Sequence, residues 1–196
     1  MRAILAYWAV YFALHSGLAS SRAKAMVHAH WPRLPYRLAY NILAVILLLP
    51  GIWLLWGRSW PVLWEFEEGW RYVSWLLQGL AAAGFLWSLR YYDMGAFLGL
   101  KPESEGNFKI SPFHRFVRHP WYAFALVLIW SSDMNSGRLA TSVMATLYLF
   151  FGSRHEESML VERFGAGYAE YRKKVPGLIP LPWKYLSRRE AATLVK

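Results

Sequence analysis

Three long apolar runs dominate the first half of the chain. Ala3–Ala19 is interrupted only by His15 and Ser16 near its end. Leu38–Trp56 includes Ile42 to Pro50 without a polar side-chain atom. Tyr72–Leu89 carries one amide, Gln78. Each run holds 17 to 19 residues. As helix that is about 26–28 Å, against a bilayer core of about 30 Å. The pattern predicts three membrane spans, the first retained because no signal-peptide cleavage site comes after it.

The second half is patterned differently. Pro120–Trp130 and Leu139–Gly152 are apolar but short for spans, and Ser131–Gly137 between them is polar. They predict a helical hairpin with its turn among the headgroups. From Arg154 to Val175, Leu160, Phe164, Tyr168, Tyr171 and Val175 recur three or four residues apart. That spacing predicts an amphipathic helix lying in the membrane interface. Pro176 ends it, and Pro180 and Pro182 keep the next segment extended. Ser20–Arg37 reads as a loop holding His28 and His30. The predicted fold is all-α: a polytopic membrane bundle of about five spans with a C-terminal cytoplasmic interfacial helix. Residues 1–90 form its three-span part and residues 91–196 its C-terminal core, within one domain.

Composition agrees. Of 196 residues, 56% are hydrophobic and 18% aromatic, while 17% are charged, against about 25% charged in an average soluble domain. Disorder is excluded by this apolar content. The chain has no cysteine, so disulfide scaffolds, thiolate metal sites and thiol nucleophiles are excluded. No His-Glu-x-x-His, phosphate-binding loop or dinucleotide fingerprint is present, and His28 and His30 have nothing nearby to complete a metal set.

The net charge of +10 would suggest nucleic acid in a soluble protein; in this chain it suggests a membrane surface and no nucleic acid. Eighteen basic residues fall in Ser20–Arg37, Arg90–Arg118 and beyond Ser153, and only Arg2, Arg58, Arg71 and Arg138 fall elsewhere. The same segments hold eight of the twelve acids, so the whole +10 lies on one side. The positive-inside rule makes that side cytoplasmic, facing an anionic leaflet. The N-terminus is then outside and the C-terminus inside. Trp53, Trp56, Trp60, Trp64, Trp70 and Trp75 bracket the outer loop like an interfacial belt. A soluble aromatic-rich bundle need not combine such runs with such asymmetry.

Two polar clusters fall at the predicted cytoplasmic face. Arg118-His119-Pro120-Trp121-Tyr122 opens the hairpin, where a proline at the first helical position is tolerated. Arg154-His155-Glu156-Glu157 closes it. A hairpin brings its open ends together, so clusters 35 to 39 residues apart become neighbours. Singly, these residues read as a snorkelling arginine, a structural histidine and solvated carboxylates. Together they read as a site, because ionisable groups near membrane depth are costly.

At these residues a family resemblance enters. Arg118-His119-Pro120-Trp121-Tyr122, then Glu156-Glu157, Leu160, Phe164-Gly165, Tyr168, Tyr171-Arg172, Val175-Pro176 and Ile179-Pro180, resembles the isoprenylcysteine carboxyl methyltransferase family of integral membrane methyltransferases. The similarity covers about Tyr92 to Pro182. His15-Ser16, Ser20-Ser21-Arg22 and Tyr36-Arg37-Leu38-Ala39-Tyr40-Asn41 look more like its bacterial NnrU and methanethiol S-methyltransferase branch, which implies a bacterial inner membrane.

The resemblance implies S-adenosylmethionine bound at the cytoplasmic face and a lipophilic or small-molecule methyl acceptor. Carried over by motif, His119, Pro120, Tyr122, Glu156, Glu157, Leu160 and Phe164 would line the cofactor pocket, and Tyr168, Tyr171 and Arg172 would close it. Arg118, His119 and Glu156 would be the catalytic set, with no metal. A carboxylate suits the cofactor amine, Arg118 or His119 its carboxylate, and an aromatic face such as Tyr122 or Phe164 its sulfonium. His114 or His119 could take the proton of a thiol acceptor.

The chain departs from the family pattern at Pro112, His114 and Phe124, where Gly, Tyr and Gly are usual. Phe124 could narrow substrate access, so the acceptor stays open. Two other functions fit the same residues: an NADPH-dependent sterol-reductase-like enzyme, for which the loop Lys101–Arg115 is short, and a non-catalytic membrane scaffold.

Overall fold

The computed structural model describes residues 1–102 and 108–194. Glu103, Glu105 and Lys196 of the charge asymmetry, and part of the loop Lys101–Arg115, lie outside the described residues. The chain is mostly helical: α1 Arg2–Ala19, α2 Ser21–His30, α3 Tyr36–Trp56, α4 Glu68–Ser88, α5 Met94–Leu98, α6 Pro120–Trp130, α7 Ser136–Lys174 and α8 Arg188–Leu194. Two short strands, β1 Val62–Trp64 and β2 Met134–Asn135, pair antiparallel.

Among the described residues two helical stretches, α3 and Glu68–Tyr91, which contains α4, are long and apolar enough to cross a membrane, and α1 with α2 makes a third candidate bent by 63°. Helix α6 is apolar but shorter. The chain divides into two compact units: residues 1–65, 92–104 and 133–145, and residues 66–91, 105–132 and 146–196.

In the first unit α1 packs on α3. Gly51 admits the rings of Tyr7 and Trp8, which a Cβ there would meet at 2.6 and 2.8 Å. Pro50 lies inside α3, and proline removes one helical N–H and disturbs the preceding turn. The α1 tyrosines address that stretch: Tyr7 donates to the Leu47 carbonyl and Tyr11 to that of Ala44. Arg37 donates to the Ala96 carbonyl at 3.0 Å, and Asn41, one turn on, to those of Phe97 and Leu98. Arg37 and Asn41 thus hold the end of α5 to the start of α3. Gly99 closes α5 with φ +84°, and a Cβ there would lie 2.5 Å from the Leu38 nitrogen.

The second unit is built on α4 and α6. The buried positions of α4 are Ser74, Ala81 and Ser88, seven residues apart on one stripe. Trp121 donates to Ser88 at 2.7 Å, Phe124 lies against Gly84, and Ser74 donates to the Ser131 carbonyl. Small residues let helices approach this closely.

Two predicted boundaries are corrected. Ser20–Arg37 is not a loop throughout: Ser20 accepts from the Ala23 N–H and caps α2, as serine does at that position. His28 and His30 are therefore helical. The hairpin's second arm does not stop at Gly152, because α7 continues to Lys174 with its break at Gly165 (φ 60°, ψ −138°). Only glycine adopts that backbone readily. The segments holding α5 and α8 carry helical turns that short apolar patterns did not signal.

Candidate functional site

All the predicted site residues fall within the second unit. Pro120 occupies the first turn of α6 and His119 is its N-cap. The main chain just before α6 is tied to the segment after α7: Arg118 N–H donates to the Pro176 carbonyl at 2.9 Å, and His119 N–H to that of Gly177 at 3.1 Å. The two halves of the motif are therefore joined by backbone.

Arg118 strengthens the same junction. Its Nε and Nη2 lie 2.8 and 2.7 Å from Glu157 Oε1. Its Nη1 donates to the carbonyls of Arg172, at 2.8 Å, and Val175. These carbonyls lie in the last turn of α7 and just beyond its end, where no helical N–H is left to satisfy them. Arg118 thus acts as a cap and clamp.

Glu157 sits beneath this clamp with its side chain 2% exposed. Burial opposes its charge, but hydrogen bonds from His119 and Arg118 hold its carboxyl below the usual glutamate range. Its Oε2 is buried without a hydrogen bond among the described residues. Arg172 Nε lies 3.8 Å from that oxygen.

His119 lies between two carboxylates. Its Nε2 is 3.1 Å from Glu157 Oε1, and its Nδ1 is 3.5 Å from Glu156 Oε2. Burial lowers its pKa, but the bonds to Glu156 and Glu157 outweigh burial and leave it raised. Its ring stacks on Tyr122 with 5.3 Å between centroids and 9° between planes. The Tyr122 hydroxyl is 3.4 Å from Glu156 Oε2. Glu156 differs from its neighbour: its side chain is 46% exposed. Consecutive glutamates on one helix therefore divide into a buried and an open carboxylate.

The remaining positions are split. Tyr168, Tyr171 and Val175 are buried with Leu186 and Ala191, and Leu160 and Phe164 pack against them with Phe108 and Ile110. The apolar face of the tail helix is thus covered by the chain itself. Tyr171 donates to the His114 carbonyl at 2.7 Å, and burial pushes the Tyr168 hydroxyl pKa up. Arg154 and His155 are exposed.

His114 accompanies the cluster. Burial, then the charge of His119, lowers its pKa to about 4 despite Glu156. Its Nδ1 is 2.6 Å from the Ser111 hydroxyl.

Sequence reasoning missed the Pro176 and Gly177 carbonyls, whose role is carried by main chain. It also missed Phe108 and Leu186. Leu186 is wholly buried and exchanges hydrogen bonds with Arg115, accepting from Nε at its carbonyl and donating its N–H to the Arg115 carbonyl.

Comparison with known proteins points to methyltransferases. A methanethiol S-methyltransferase of Pseudomonas sp. (strain GM41(2012)) is 29% identical over 188 residues, 87% of this chain and 70% of that protein. Methanethiol S-methyltransferase 1 of Bradyrhizobium diazoefficiens is 28% identical over 88% of this chain. The chain spans 64% of the length of that relative. A protein-S-isoprenylcysteine O-methyltransferase of Schizosaccharomyces pombe is 39% identical over 72 residues, 35% of this chain and 30% of that protein. No family model matches the chain. No solved structure matches it at comparable stringency.

Proposed function

Starting from a methyltransferase similar to the isoprenylcysteine carboxyl methyltransferase family, we propose that this chain transfers a methyl group from S-adenosylmethionine to a small thiol. The reaction would take place at the cytoplasmic membrane face. The observation that carries this reading is Glu156, an open carboxylate beside the His119–Tyr122 stack at the mouth of α6.

The donor set fits the cofactor. Glu156 suits its amine, and the Tyr122 ring offers a face to a sulfonium. Bound S-adenosylmethionine supplies an electrophilic methyl group on that sulfonium. Glu157 and Arg118 hold His119 and the end of α7 in place, while Leu160 and Phe164 add apolar surface that excludes water. Arg118 is a positioning residue in this reading, because its donors already serve Glu157 and two carbonyls.

The histidines bear on the acceptor. The carboxylates beside His119 raise its pKa and so favour its charged form, and His114, with a pKa of about 4, is a weak base. His114 is therefore a poor base for a thiol at neutral pH, and the charged form of His119 has no lone pair to take the proton. The site suits an acceptor that arrives ionised, such as a thiolate. Transfer to an anion cancels charge and needs positioning and dryness more than proton abstraction. Methanethiol, named for two of the relatives, is the acceptor to try first.

The same reading places the chain in a bacterial inner membrane, crossing about five times with the N-terminus outside. Residues 91–196 form its catalytic core and an anionic inner leaflet meets its basic side. The charge asymmetry of eighteen against four supports this orientation.

Calorimetric titration of the detergent-solubilised protein with S-adenosylmethionine tests the site. Micromolar binding is expected, weakened at least tenfold in Glu156→Gln and in His119→Ala. No binding to a folded protein would sink the proposal. With methanethiol, turnover should rise with pH toward the thiol's own pKa; a plateau near the ordinary histidine pKa would overturn the unassisted deprotonation.

A further inference from the structure

A second polar site lies in the first unit, among residues the proposed reaction does not use. It is a cavity of about 420 Å³ between α2, the start of α3 and the turn after α5. Lys24, His28, Arg37 and Lys101 line it, and no carboxylate is among the described residues that do. Lys24 and His28 are four apart on α2, so they share a face.

Two of the cations are positioned by the chain, while Lys24 and His28 are exposed on α2. The Arg37 guanidinium is fixed on the Ala96 carbonyl at 3.0 Å. The Lys101 stem crosses Gly95, where a Cβ would approach its Cδ at 3.0 Å. The Leu100 and Lys101 N–H groups both donate to the Gly95 carbonyl, at 2.8 and 3.2 Å. Each glycine in this turn leaves room that a side chain would fill.

Apolar side chains accompany the charges. Leu34 and Leu100 line the same cavity, and they are 41% and 65% exposed. Helix α2 turns 63° away from α1, as a helix does on leaving a bilayer for its surface. A free anion has no use for exposed leucines beside its site. A lipid phosphate has, because its acyl chains begin there.

We propose that this cavity binds the phosphate headgroup of an anionic phospholipid. Lys24, Arg37 and Lys101 would neutralise the phosphate, and Leu34 and Leu100 would flank the first carbons of the chains. Basic recesses at a membrane face have the charge and depth for such headgroups. The inference rests on the membrane reading and is independent of the methyl-transfer reading.

The test uses the full chain in detergent micelles, titrated with phosphatidylglycerol, phosphatidylcholine or inorganic phosphate and followed by native mass spectrometry. Phosphatidylglycerol is expected to bind at least tenfold more tightly than phosphatidylcholine. A Lys24→Gln/Lys101→Gln double variant should lose that preference while keeping its S-adenosylmethionine response. Lys24→Arg/Lys101→Arg should retain it, and Lys173→Gln at an exposed position elsewhere should not matter. Equal binding of the two lipids, or a double glutamine variant that binds like the parent, overturns the proposal. Inorganic phosphate competing as strongly as the lipid would reassign the site to a soluble anion and overturn it too. Alkaline carbonate extraction of membranes stands apart as a control: release of the chain there refutes the membrane reading whatever lipid binds.

Discussion

Along α3 the exposed positions include Ile42, Val45, Ile46, Leu49, Ile52 and Trp53, whereas in the second half of α7 the buried ones include Glu157. The first helix turns its oil outward, and the second turns a charge inward. In water both arrangements would be costly, since exposed apolar patches aggregate and buried charges lose hydration. Lipid removes the first cost, and the clamp of Arg118 and His119 offsets the second. Local hydropathy therefore describes α3 completely and α7 hardly at all. The α7 arrangement depends on partners 38 and 39 residues away.

The largest expected effect comes from breaking the inward charge. Glu157→Ala leaves Arg118 and His119 without their shared carboxylate and should cost about 3–5 kcal/mol, read as a lower unfolding midpoint in micelles. A change below about 1 kcal/mol would make the pair a surface bridge.

Next is the outward oil. Ile46→Lys should oppose membrane insertion by about 2.5–3.5 kcal/mol, as lysine does at a helix centre. A neutral result in an insertion assay would mean that α3 does not face lipid.

Gly84→Ala should cost about 1–3 kcal/mol through overpacking, because its Cβ would sit 2.7 Å from the Phe124 ring. A Phe124→Ala background should relieve that loss; failure to do so would place the strain elsewhere.

The smallest effect on stability should come from Glu156→Gln, within about 1 kcal/mol for a half-open carboxylate. Yet this is the variant expected to lose cofactor. Equal losses of stability in Glu156→Gln and Glu157→Gln would erase the distinction between the two glutamates.

Acid and base should act on different groups. His114 is depressed to about 4, so the unfolded chain takes its proton first. Stability from His114 is present above about pH 6.5 and is lost as the pH falls toward 4. The lowered Glu157 acts in the same direction at lower pH. The raised His119 acts oppositely, its contribution being full below about pH 6.5 and lost as pH climbs through its folded value. A His114→Asn variant should flatten the acid arm of a stability–pH curve and leave the alkaline arm alone.

Much of the fold is legible in the sequence because lipid-facing runs announce themselves. The core of α3, the α6 start at Pro120 and the break after Trp130 stem from residue type, although α7 begins at Ser136, inside the polar stretch, and not at Leu139. The meeting of Arg118 and His119 with Glu156 and Glu157 comes from hairpin topology. The division of labour between the glutamates does not, because both sit on the same turn and only their three-dimensional neighbours differ. Nor does the continuity of α7 past Gly152, where glycine suggests an end but the backbone stays helical. The tail's apolar stripe is visible, while its partners, Phe108, Leu186 and Ala191, are scattered through segments without periodicity. Residue type alone offers Arg118 or His119 to the carboxylate group of the cofactor; the carboxylate Arg118 holds in the structure is Glu157 of the chain itself.

The Arg118 clamp also governs how sequences of this kind can drift. Two of its partners are carbonyl oxygens at positions 172 and 175, and a carbonyl is supplied by any amino acid. Its geometry therefore constrains one letter of the code at position 118 without leaving a matching mark at those two positions. In a large alignment, Arg118 should covary with Glu157 and His119 and show no statistical coupling to residues 172 and 175. The strongest spatial tie between the two halves of the motif would then be almost silent to methods that infer contacts from paired substitutions.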